Sequence, residues 1–178
     1  MSTHPARMSS PGTDESSVCE SPDARTSVAI RPHHIAIETF DLENSMAWYG
    51  AFLDCRAAWS LATFSETTHS RLPGISRLVE MRNGDVRFHI FERQPTASRP
   101  CAPDALQFQH IALAVATDRD LRALRDRWLD LFAAGHHTFV RSEPPTEIVT
   151  DADGVQNFYC YDVHGLELEL TYLPEVST

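Results

Sequence analysis

Lysine is missing altogether: all 15 basic residues are arginine. Schiff-base chemistry through a lysine is therefore excluded, and so is a phosphate-binding P-loop that needs one. The four cysteines, Cys19, Cys55, Cys101 and Cys160, are scattered and form no CxxC pair. They read as reduced thiols rather than as a metal ribbon or a redox couple. No apolar run at the N-terminus has the form of a signal peptide, and no segment approaches membrane-spanning length. A cytoplasmic protein with no membrane partner is expected. Positive charge is scarce too. The net charge of −10 disfavours nucleic acid and anionic membranes as partners.

What is present suits a globular chain. The 178 residues with 42% hydrophobic content are enough for one domain, or for two small modules sharing a core. Residues 1–30 are rich in Ser, Pro, Thr and Asp with few large apolar side chains, and read as a disordered leader. Residues 31–93 change texture. A strand over "HHIAIET" leads to Asp41, an N-cap residue, and then to "LENSMAWYGAFL" with helical spacing. Three strand-like runs follow, "RAAWSLATF", "ISRLVEMR" and "VRFHIFER", the last two joined at Asn83-Gly84, a hairpin signal. Residues 94–107 carry three prolines and no periodicity, and read as a linker.

Residues 108–174 repeat the order. "FQHIALAV" is a strand, and Asp118 is expected to cap "RDLRALRDRWLDLFAA", whose apolar stripe ends at Gly135. Strand-like pieces follow near Phe139, at 146–150, at "VQNFYCYD" and at "LELELTYL". His34 to His110 is a step of 76 residues and Asp41 to Asp118 one of 77. The fold class is thus α+β, two paired βαβββ modules, whose sheets are expected to cover each other.

Side chains alternate along a strand. In four strands one face is strongly apolar and expected to pack under a helix. The opposite faces carry His34, His89, His110 and Glu169. For any one of them, exposure to water is explanation enough. For the set it is not: three of four are imidazoles, and small alanines beside two of them leave room for a guest. His33 falls on the helix-facing side by this count; it, His136, His137 and His164 read as surface or structural.

At this point the sequence resembles the vicinal oxygen chelate superfamily, of glyoxalase, bleomycin-resistance and dioxygenase type. Two motifs carry the resemblance: "HIAIETFDLENSMAWY", with its Asp-Leu-Glu-x-Ser and aromatic-Tyr pair, and Phe-Tyr-x-x-Asp-x-x-Gly-x-x-Leu-Glu from Phe158 to Glu169. The resemblance spans about residues 32–174. It implies a curved mixed sheet, a cup with helices on its outer face. It also implies a metal held by His34, His89, His110 and Glu169, the positions the alternation had already singled out. Family members often dimerise, so a homodimer is possible; with both modules in one chain, a complete site within that chain is expected.

Three imidazoles and a carboxylate suit Fe, Mn, Co, Ni or Zn better than Mg or Ca. A divalent transition metal with two adjacent open positions would bind a small oxygenated substrate through two neighbouring oxygens. The expected activity is an isomerase, epimerase or glyoxalase-like lyase working through a metal-stabilised enediolate. An Fe(II) extradiol-type dioxygenase is the alternative, though "VTDADGVQNFYCYDV" lacks the expected upstream His and has Val163 where that signature has Pro. A metal-free, ligand-sequestering resistance protein is a second alternative. Glu169, Glu167 and Tyr161 are the catalytic candidates; Glu147, Asp151, Glu66 and His69 are further candidates for the base.

Overall fold

The structure is a computed structural model that describes residues 31–94 and 108–174. Cys19, Cys101, the expected leader and nearly all of the expected linker lie outside the described residues. The secondary-structure elements all fall within one compact unit, His33–Thr178. In the first module β1 (Ile35–Thr39) leads to α1 (Leu42–Leu53), β2 (Arg56–Leu61), a short α2 (Glu66–Arg71), β3 (Ile75–Asn83) and β4 (Val86–Arg93). The second has β5 (Ile111–Val115), α3 (Asp118–Ala134), β6 (Val149–Thr150), β7 (Gln156–Tyr161) and β8 (Glu167–Tyr172). Each module forms its own four-stranded mixed sheet, in the order β1-β4-β3-β2 and β5-β8-β7-β6. The outer strand of each βαβ unit runs parallel to the last strand, as the crossover helix requires.

The first motif builds the entry to α1. Asp41 caps the helix by accepting from the Asn44 amide at 3.0 Å. Leu42 enters the core, and Glu43 pairs with Arg77 at 3.1 Å. Buried Ser45 bonds Thr39, the Asp41 carbonyl and His164, so that imidazole is a structural tie. In the second module the cap is Thr117, not Asp118: its hydroxyl accepts from the Asp120 amide, and Asp118 opens the helix itself. The correction sharpens the repeat, because Asp41 to Thr117 is also a step of 76 residues. Gly135 ends α3 with φ +66°.

The second motif builds the β7–β8 turn. Phe158 and Leu168 are buried. The Asp162 carboxylate accepts from the amides of His164 and Leu166 at 2.9 and 2.8 Å. Gly165 takes φ +80°, a left-handed conformation that side chains disfavour. Two expectations fail locally. The loop after β2 contains α2, whose cap Ser65 was hidden among other hydroxyl residues. The run near Phe139 is not a strand; Phe139 packs on Trp128 and Phe132 instead.

A single core serves both modules. Trp48, Phe52, Phe88 and Ile90 from the first join Leu121, Trp128, Phe158 and Leu170 from the second. At about 1.5–3 kcal/mol for each large apolar side chain, this burial dominates any one surface ion pair. The modules meet through α1, α3 and the segments after them. Arg127 donates to the Phe52 carbonyl and to Asp54, and Asn44 exchanges hydrogen bonds with the backbone of Thr138. No ladder joins the two sheets among the described residues. Among these residues the two sheets do not pair edge to edge; their helix-covered faces both contribute to the common core.

Candidate metal centre

Pairing geometry places the first half of the site. Ala36 sits opposite His89 in the parallel β1–β4 ladder, and His34 lies two residues before Ala36 on the same face. The rings of His34 and His89 stack at 3.7 Å with 9° between their planes. The Nδ1 atoms of His33 and His34 lie 2.8 Å apart. Glu80 faces His89 across the β3–β4 hairpin, and its carboxylate is 3.0 Å from His89 Nε2. Both are buried, at 4% and 7% exposure. Trp59 continues the row from β2, opposite Glu80, with its ring 5.1 Å from His89.

The second module repeats the plan. Ala112 sits opposite Glu169 as Ala36 sits opposite His89. His110 Nε2 is 3.0 Å from the Glu169 carboxylate. Tyr159 sits opposite Glu169 on β7, and Thr171 donates to a Glu169 carboxylate oxygen at 3.2 Å. Glu167 lies on the same face, two residues away, opposite Tyr161.

The four candidate ligands thus form two pairs. Among the described residues, the one group of three donors within 4.8 Å of one another is His33, His34 and His89. His110 and Glu169 contact each other and do not join it. Within this chain, among the described residues, the two pairs stand as separate groups of donors. The donor chemistry fits a divalent transition ion at the first pair, where neutral imidazoles cluster and a buried carboxylate orients one of them.

Electrostatics follow from these contacts. Burial, then His89 and His33, hold the His34 imidazole below its ordinary value, which favours the neutral, ligating form. The hydrogen bond from His89 holds Glu80 below the usual carboxylate range. Burial and Glu169 push the Tyr159 phenol up, so it stays a donor. Cys55 and Cys160 are free and buried; burial pushes Cys55 up to about 11 and Cys160 higher still, so both thiols are inert.

The remaining candidates for the base scatter. Glu147 is held by Arg125 at 2.5 Å, while Glu66, His69 and Asp151 are exposed on loops or on α2. Tyr161 carries the Arg141 guanidinium over its ring at 4.3 Å. Three residues of the site escaped the sequence reading: His33, Glu80 and Tyr159. The hairpin turn at Gly84-Asp85 fixes Glu80 opposite His89, so counting back from it would have found Glu80. His33 lies two residues before β1, and its ring turns toward His34 instead of following the strand's alternation.

No family model matches the chain, and no curated protein matches it. Solved structures do. A glyoxylase/bleomycin resistance protein/dioxygenase domain from Frankia sp. EAN1pec aligns with TM-score 0.59 at 17% identity, over 83% of this chain and 95% of its own. A lactoylglutathione lyase from Agrobacterium tumefaciens gives 0.52 at 16%, over 82% and 96%. A fosfomycin resistance protein from Listeria monocytogenes, complexed with Mn(II) and sulfate, gives 0.51 at 16%, over 83% and 96%. The two βαβββ modules and these likenesses agree on the fold: the chain shares the fold of these glyoxalase-, lyase- and fosfomycin-resistance-type structures.

Proposed function

We propose that this chain is a divalent-metal enzyme acting on a small substrate with two neighbouring oxygens. It removes a proton beside a carbonyl, as an isomerase, epimerase or glyoxalase-like lyase does. We place its metal between two copies, with His34 and His89 from one and His110 and Glu169 from the other. One observation carries this reading: each module presents half of a ligand set at the same register position, on a face turned away from the shared core. The exposed Trp59 and Leu61 on β2, beside the first half-site, are apolar surface that a second copy would cover.

A divalent ion bound there supplies a Lewis acid for the two substrate oxygens. The chain's own residues supply the rest. Glu169 is held by Thr171 and sits opposite Tyr159. Glu167, on the same face, is the base. Tyr161 lies beside it and fixes Arg141, a positive charge for an anionic substrate. Ala36, Ala112 and Ala114 keep the faces low and leave space. Related folds include a protein described as a lyase and one complexed with Mn(II), which supports metal-dependent chemistry of this kind.

The test is exchange of carbon-bound hydrogen with deuterated water, followed by NMR on a panel of α-hydroxyketones and 2-oxo acids with metal-loaded protein. Exchange on at least one is expected, without oxygen uptake. H34A and E169Q should each abolish it. Mixing the two inactive variants should restore about a quarter of the sites, as random pairing in a two-fold dimer dictates. Oxygen consumption on a catechol, or no recovery on mixing, would overturn the assignment.

A further inference from the structure

We infer that the first module binds a divalent ion on its own, through His33, His34 and His89, before any second copy arrives. The inference goes beyond the shared site just proposed, because all three donors come from one chain and His33 has no part in that ligand set.

The geometry argues for it in three steps. First, the donor atoms lie within 4.8 Å of one another, and the two Nδ1 atoms of His33 and His34 face each other at 2.8 Å. Nitrogens bound at ~2.0–2.1 Å to one ion, at angles between octahedral and tetrahedral, lie roughly 2.8–3.4 Å apart. The His34 and His89 rings are stacked, so one of them must rotate about its side-chain bonds before the three lone pairs converge on an ion. Second, His89 has its Nε2 committed to the buried carboxylate of Glu80 at 3.0 Å. A proton on that nitrogen leaves Nδ1 with its lone pair, and a carboxylate behind an imidazole is the usual support of a ligating histidine. Third, His33 and His34 are exposed. They meet an ion in solvent with no desolvation of a closed cavity.

Three imidazoles with no carboxylate among the donors select Zn(II), Co(II) or Ni(II) over Mg(II) or Ca(II). His33 thereby supplies the third donor that a lone chain otherwise lacks.

The experiment uses the full chain carrying both H110A and E169Q, in which the shared site cannot form. Co(II) and Zn(II) are titrated by equilibrium dialysis and visible absorption, with Mg(II) as control and melting curves to confirm folding. One Co(II) per chain with nitrogen-ligand absorption bands, undisturbed by excess Mg(II), is expected. Adding H33A or H33Q to that background should weaken binding at least tenfold without altering the melting curve. Failure of the folded double variant to bind would overturn the inference, and so would unchanged affinity after loss of His33. Neither result touches the shared site, which stands or falls on recovery of exchange when H34A and E169Q chains are mixed.

Discussion

The hydroxyl of Tyr49 donates a 2.8 Å hydrogen bond to the carboxylate of Asp162, and both residues are completely buried. Tyr49 belongs to the first sequence motif and Asp162 to the second. The bond therefore ties the helix of one module to the terminal turn of the other. Y49F removes a donor from a buried, charged acceptor and should cost about 1–3 kcal/mol in urea unfolding. A loss below about half a kcal/mol would mean that this bond adds little to the seam between the modules.

Two buried carboxyls should titrate in opposite senses. Burial raises the Asp162 pKa, so in the folded chain it holds its proton to higher pH than when unfolded. Between those two values folding takes up a proton, and stability falls as pH rises. Glu80 is lowered by its bond from His89. Its contribution is complete above the unfolded carboxylate value and is lost as pH falls through the folded one. Urea curves between about pH 3 and about pH 6 should show the gap between wild type and D162N narrowing with rising pH. The gap between wild type and E80Q should widen. Parallel slopes would contradict the assignment.

Glu80 also orients His89. E80Q keeps the shape but loses the charge, and metal affinity should drop by about 10–100-fold in competition with a chromogenic chelator. Equal affinity in E80Q would mean that His89 needs no support.

Trp59 is 43% exposed on a strand open on both faces. W59E should leave the unfolding free energy of a dilute sample within about half a kcal/mol of wild type, since exposed substitutions are mild. Sedimentation should instead show at least a tenfold weaker association of copies. An unchanged association constant would place the contact elsewhere.

Gly165 sits at φ +80°, with the Arg141 side chain 3.3 Å from where a Cβ would be. G165A should cost about 1–2 kcal/mol through backbone strain. Because Arg141 must shift, substrate binding should weaken as well, which a KM measurement would read.

Much of this was legible in the residues. Leu42–Leu53 is predicted by its Asp cap and apolar spacing, and alternation puts His34, His89, His110 and Glu169 on the polar faces. The rest depends on context that pattern does not carry. His33 lies two residues before β1, and its ring turns toward His34. Glu80 looks like any charge on a strand until the hairpin register sets it against His89. Thr117 and Asp118 are both capping residues, and only backbone geometry decides between them. Whether two half-sites meet within a chain or between chains depends on which faces the helices cover, and periodicity is blind to that.

The placement of both helices in the common interior leaves every molecule with two unlike sockets. If the two sockets of one molecule engage both of a neighbour's, the pair closes on itself with two-fold symmetry and growth stops. If each engages a different neighbour, the same contact propagates into an open filament. Under the shared-site proposal, the angle between the sockets decides between a closed pair and an open chain, and the seam where α1 meets α3 sets that angle without touching a single ligand.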